Sequence, residues 1–222
     1  EMFAHVPILA HGNVKSVLII GGGDGGAACQ VLKHTSIAAT LVDIDRTVID
    51  LSAKYMPTLS DGAFDNARLE IIVADGCKFV KDTNRTWDVI IIDSTDPHGP
   101  GEVLYTQEFY TDCKSCLSEG GIIVTQNGVP FVQPDELRDS YDRLGSIFKD
   151  VSFYMAAIPS YVGGALAFGW ATDNRELRAL DMGILADRFL KAEIDTGYYS
   201  PEVHKAAFAL PYFVQKILTA EK

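Results

Sequence analysis

No stretch of this 222-residue chain approaches the roughly 20 consecutive apolar residues that a membrane-spanning helix requires. The longest strand-like apolar runs are Val17-Leu18-Ile19-Ile20 and Val89-Ile90-Ile91-Ile92, so no membrane partner is expected. No basic-then-apolar leader is legible at the start. Cysteine is sparse. Cys29, Cys77, Cys113 and Cys116 are too few in a chain of this length to build a disulfide framework, and a reducing, cytoplasmic location is expected. Basic residues are outnumbered, with 19 Lys and Arg against 30 Asp and Glu, for a formal net charge of −11. Such a surface repels phosphate backbones, which argues against a nucleic-acid partner, and it favours cations, polycationic small molecules included. Neither an internal repeat nor a low-complexity tract interrupts the sequence.

What is present is ordinary globular composition, 47% apolar and 22% charged. A chain this long buries enough surface for a full core without disulfides. Strand-like and helix-like patterns alternate over residues 1–175. The run Val17–Ile20 ends in a glycine cluster, after which Ala27, Ala28, Val31 and Leu32 have helical spacing. Thr40–Ile44 reads as strand, with Val48, Leu51 and Tyr55 in a following helix. Leu69–Val73, Trp87–Ile92 and Ile122–Thr125 read as further strands. Thr106 is the expected N-cap of a helix through Phe109, Cys113, Cys116 and Leu117, stopped by Gly120-Gly121. Leu137, Tyr141, Leu144 and Phe148 line another helix. Val151–Ile158 and Ala165–Ala171 flank a Gly163-Gly164 turn. This alternation predicts an α/β fold, a mixed but mostly parallel sheet with helices on both faces. Residues 176–222 read as a helical C-terminal appendage of the same domain.

Ligands of such sheets bind beyond the carboxyl ends of the strands. Four consecutive strands deliver a carboxylate there. Asp24 lies in the loop Gly21-Gly22-Gly23-Asp24-Gly25-Gly26, Asp43 ends the second strand, Asp75-Gly76 ends the third and Asp93 ends the fourth. An acid at Asp43 suits ribose hydroxyls, and one at Asp75 suits an adenine amino group. Asp24 would repel a pyrophosphate, which argues against a dinucleotide, and would attract an ammonium or sulfonium. The run Asp93-Ser94-Thr95-Asp96-Pro97-His98-Gly99-Pro100 places a further carboxylate, Asp96, three residues after Asp93 around a rigid turn. One of the two acids could take the proton that an alkylammonium must lose before it attacks a carbon. Each acid also has a plainer reading as a helix cap or turn. Cys113 and Cys116 share an apolar helical face with no second Cys or His pair in register, so packing is expected there and no metal site. His98 reads as a solvated loop residue. His5, His34 and His204 have no partners visible in the sequence.

These residues resemble the polyamine aminopropyltransferases. The matches are the Val17–Gly26 segment, Asp43-Ile44-Asp45, Asp75-Gly76, Asp93–Pro100, Gly120-Gly121-Ile122, Thr125-Gln126-Asn127-Gly128 and Ala157-Ile158-Pro159-Ser160-Tyr161. The resemblance covers essentially the whole chain. It implies a Rossmann-like fold of the S-adenosylmethionine-dependent methyltransferase type. It also implies transfer of an aminopropyl group from decarboxylated S-adenosylmethionine, a co-substrate rather than a tightly bound cofactor, to putrescine. The products would be spermidine and methylthioadenosine. Asp93 would be the catalytic base. Asp24 would hold the donor's ammonium, Asp43 its ribose and Asp75 its adenine. Gly21, Gly22, Gly23, Ile44, Gly76 and Pro100 would complete the donor side, and Asp96 and Tyr161 the diamine side. A homodimer or higher homo-oligomer is implied as well. The chain departs from the family in Ala28-Cys29-Gln30, where Leu-Arg-Glu is usual, and in Asp43, where Glu is usual. It also opens at Glu1-Met2, a point that the family's N-terminal strand domain normally precedes, so that domain is expected to be absent. Two alternatives stay open on these grounds, a polyamine N-methyltransferase and a non-catalytic polyamine- or nucleoside-binding paralogue.

Overall fold

The computed structural model describes residues 1–97 and 99–219, and the side chain of Pro100 also lies outside the description. A helix α1 (Met2–His11) precedes the first strand. There follow β1 (Ser16–Gly21), α2 (Gly26–Leu32), β2 (Ala38–Asp43), α3 (Arg46–Tyr55), a single turn α4 (Pro57–Ser60) and β3 (Leu69–Val73). The second half carries α5 (Gly76–Asp82), β4 (Trp87–Asp93), α6 (Gln107–Ser115), β5 (Leu117–Gln126), α7 (Pro134–Gly145), β6 (Asp150–Ala157) and β7 (Ala165–Thr172). Helices α8 (Met182–Ala192), α9 (Pro201–Ala207) and α10 (Tyr212–Thr219) follow.

The strands form one seven-stranded sheet in the order β3-β2-β1-β4-β5-β7-β6. β1 to β5 are parallel, while β7 runs antiparallel to both β5 and β6. Gly163 and Gly164 both have positive φ in the turn joining β6 to β7. The branched residues of the central strands divide by parity, as a pleated strand requires. Val17, Ile19, Val89 and Ile91 face α1 and α2, whereas Leu18, Ile20, Ile90 and Ile92 face α5 and α6. Both faces are thus covered, which is why these strands read as unbroken apolar runs. The strand order reverses between β1 and β4, so the two chain crossovers leave a crevice above their carboxyl ends.

Several expectations need correcting. No element is predicted for Met2–His11, yet it is a helix despite Pro7 at its centre, and eight of its ten residues are buried. It is apolar on every side, so it carries no amphipathic period to read. Gly120-Gly121 does not stop α6, which ends at Ser115. The pair lies inside β5, where Trp87 pairs with Leu117 but Val89 pairs with Ile122. Gly120, at φ 75°, takes up the surplus residues of that bulge. The helix after β2 forms as expected, but Val48, Leu51 and Tyr55 are exposed, and Ile49 and Ser52 supply its buried side. The C-terminal helices are interrupted, with turns before Asp181 and a break around Leu210-Pro211. Arg188 of α8 donates to the carbonyls of Leu9 and Ala10 at the end of α1, which satisfies two orphan helix-terminal acceptors. Val214 and Leu218 of α10 pack with Leu137 of α7 and Phe153 of β6.

Candidate active site

The register of the parallel strands brings the acids together. Gly21 pairs directly with Asp93, and Ile20 pairs with Val42, one residue before Asp43. Asp43 in turn pairs with Val73, two residues before Asp75. The glycine loop then folds tightly over the end of β4. Gly21 has φ 80°, and a Cβ there would lie 2.1 Å from the Asp93 carbonyl oxygen. The Gly22 N–H donates to that same oxygen at 2.9 Å. The Gly23 N–H donates to Asp43 Oδ2 at 3.0 Å, and a Cβ on Gly23 would come within 2.6 Å of it.

The carboxylates are caps and turns as well as cavity walls. Asp24 Oδ1 accepts from the Gly26 N–H at 2.8 Å. Asp43 Oδ1 accepts from the Asp45 N–H at 2.9 Å. Asp75 caps α5 by accepting from the N–H groups of Cys77 and Lys78. The plainer reading of these residues is therefore correct, and it does not exclude the other. A carboxylate has about four lone-pair sites, so one or two backbone bonds fix its direction and leave acceptors free.

These side chains border a cavity of about 640 Å³, within the range of small-molecule sites. Asp24, Asp43, Asp45, Asp75, Asp93 and Asp96 all line it, and no Lys or Arg is among the described residues that do. Ile44, Val103 and Leu104 give it apolar walls. Gly21, Gly22, Gly23, Gly76 and Tyr161 border it too. Every donor-side residue expected from the sequence therefore converges here except Pro100, whose side chain is outside the description. His98 lies outside the described residues altogether. Burial pushes the carboxyl of Asp93 up to about 7, helped by the like charges of Asp24 and Asp43.

A second cavity, of about 400 Å³, opens on the other side of Asp93. Asp93, Gln126 and Tyr161 belong to both. Its remaining wall is largely apolar, built on Met2, Phe3, Ile158, Leu166 and Phe168, with the Phe3 and Phe168 rings 4.9 Å apart. Asp96 borders the first cavity and not the second. The sequence reading missed Gln126, Gln30, Phe3 and Tyr198 as cavity residues. Gln126 had a signal, since it is the last residue of β5 and so a fifth strand end at the same rim. The others come from helices and a loop distant in sequence.

The remaining candidates have structural partners. His5 Nδ1 lies 3.0 Å from His34 Nε2, and His5 Nε2 lies 3.1 Å from Gln30 Oε1. Burial lowers these imidazoles to about 3 and about 4, so both are neutral. His204 is bonded to the Tyr199 hydroxyl at 2.9 Å. Cys113 and Cys116 are free thiols packed with Phe109 in the core. Among the described residues no group of three or more His, Cys, Asp or Glu is placed to hold a metal ion, and no helix is long and apolar enough to cross a membrane.

A mixed, mostly parallel sheet with helices on both faces places the chain in the Rossmann-like class of methyltransferase-type folds. Residues 1–181 match the family described as spermine/spermidine synthase domain, and the chain belongs to it. It is accordingly an enzyme that transfers alkyl groups other than methyl. It is 55% identical over 218 residues to a polyamine aminopropyltransferase of Ruegeria sp. (strain TM1040), covering 98% of this chain and 77% of that protein. A polyamine aminopropyltransferase of Klebsiella pneumoniae (strain 342) is 51% identical over 221 residues, covering 99% and 77%. A crystal structure of spermidine synthase in complex with the transition-state analogue AdoDATO superposes with a TM-score of 0.93 at 39% identity, covering 100% of this chain and 75% of that one. Spermidine synthase from Thermotoga maritima superposes with a TM-score of 0.88 at 36% identity, covering 100% and 73%.

Proposed function

We propose that this enzyme moves the aminopropyl group of decarboxylated S-adenosylmethionine onto putrescine, forming spermidine and methylthioadenosine. The observation that carries this reading is the position of Asp93, at the junction of an acid-lined cavity and a mostly apolar one. The first cavity takes the donor. Asp43 accepts from the ribose, Asp75 from the adenine, and Asp24 holds the ammonium of the aminopropyl arm. Intact S-adenosylmethionine would bring its own carboxylate against Asp24, a like-charge contact that disfavours it. The second cavity takes the diamine, its methylenes against Phe3 and Phe168. Tyr161, which borders both cavities, bounds the reacting centre, while Asp96 adds charge at the donor's rim.

The diamine arrives as an ammonium and is inert until a proton leaves. Asp93 accepts that proton, and its raised affinity for protons makes it a better base than an exposed carboxylate. The freed nitrogen lone pair attacks the carbon bonded to sulfur. The C–N bond forms as the C–S bond breaks, the bonding pair leaves with sulfur, and neutral methylthioadenosine departs. Holding nitrogen, carbon and sulfur in line supplies much of the acceleration. The test is to supply putrescine with either decarboxylated or intact S-adenosylmethionine and follow products by mass spectrometry. Spermidine and methylthioadenosine in equal amounts, from the decarboxylated donor alone, are expected. Methylated amine from the intact donor, or no new amine from either, would overturn the reading.

A further inference from the structure

The wall of the second cavity is completed by a residue from far along the chain. Tyr198 lies between α8 and α9, and it lines this cavity together with Phe3, Ala157 and Phe168. Two sets of contacts hold it there. The Tyr198 hydroxyl accepts from the Ala157 N–H, at the end of β6, at 3.0 Å. Its backbone is gripped by Glu1, whose carboxylate accepts from the N–H groups of Gly197, Tyr198 and Tyr199 at 2.9, 2.8 and 2.8 Å. The residue is thus held both at its hydroxyl and along its backbone while it lines the cavity. It forms part of the wall of the cavity that Asp93 also lines.

Resting on the assignment of the second cavity to the amine, we infer that Tyr198 is a specificity-determining residue, its ring bounding the cavity and so setting how long an acceptor the enzyme uses. Its hydroxyl is engaged with the Ala157 N–H, and it does not line the acid-rich cavity, so no part in proton transfer is assigned to it. Its effect falls on the amine alone and on chain length in particular.

The experiment compares kcat/KM for putrescine, for the five-carbon diamine and for spermidine in the full-length protein and in two variants of opposite volume change. Tyr198→Ala opens the wall, and the ratio of the longer amines to putrescine should rise at least fivefold. Tyr198→Trp narrows it, and the same ratio should fall. KM for the donor should stay within twofold in both. A wall that merely supports the fold would lower all three amines alike in both variants, and that pattern overturns the inference, as does an unchanged ratio. Should Tyr198→Ala not fold, the Trp variant decides alone. A wild-type protein that uses none of these amines would instead refute the proposed function.

Discussion

At Asp93 the demands of the catalysis proposed and of stability oppose one another. Its carboxyl is pushed up to about 7 by burial and by Asp24 and Asp43, against about 3.9 in an unfolded chain. The folded state therefore binds a proton more tightly than the unfolded one between those values. Stability falls as pH rises through that window, because the folded protein must then carry a buried anion. Replacing Asp93 with Asn should raise Tm at pH 8 by roughly 2–4 °C, the equivalent of about 1 kcal/mol in a chain of this length. At pH 5 the gain should shrink, since the folded carboxyl is already protonated there. Thermal unfolding at the two pH values checks this. The same variant should cut turnover at least ~100-fold while donor binding by calorimetry largely survives. In the wild type, kcat/KM for the amine should climb as pH rises through about 7, where the base ionises. Near-normal turnover in the variant would remove Asp93 from the mechanism.

Elements are held in place by groups that do not look structural in the sequence. Glu1 accepts three backbone N–H bonds from the 197–199 segment, and those bonds hold its carboxyl down at about 2 although burial works against them. An acid with a depressed pKa contributes stability above its unfolded value, and that contribution is lost as pH falls toward the folded one. Glu1→Gln should therefore lower Tm at pH 6 and converge with the wild type near pH 2, as followed by circular dichroism. Strand β4 and helix α3 give a sharper contrast. Ile91, at the centre of β4, is fully buried, whereas Leu51 of α3 is 48% exposed. Ile91→Ala should cost ~2–5 kcal/mol through lost burial and the cavity it leaves. Leu51→Ala should stay within about 0.5 kcal/mol. Urea denaturation of both variants tests the rotation of α3, because a spacing of apolar residues reports that a helix exists but not which side it buries. That is why Val48, Leu51 and Tyr55 announced the helix correctly and still face outward.

Across the whole molecule the charge distribution suits the substrates proposed. The net charge is −11, and the larger cavity is lined by six aspartates. Cationic substrates gain from that field before they bind, and salt screens the gain over about 8–10 Å. Raising ionic strength from about 50 to about 300 mM should lower kcat/KM for putrescine by about threefold or more, chiefly through KM, in steady-state assays. The fold class, the central strands and the four strand-end acids were legible from the sequence alone. Their signals are local: runs of branched residues, a glycine cluster and carboxylates at fixed places after each strand. What the sequence by itself determined is therefore an acid-lined pocket, because parallel pairing in register carries consecutive strand ends to one rim. Only the tertiary structure decided the second cavity. Its walls come from α1, from the β6–β7 turn and from a loop nearly two hundred residues beyond Glu1, and no short-range pattern records that these meet around Asp93. The hydrogen bonds of Glu1 and the packing of Phe3 on Phe168 join them, and such contacts exist only after the chain has closed on itself.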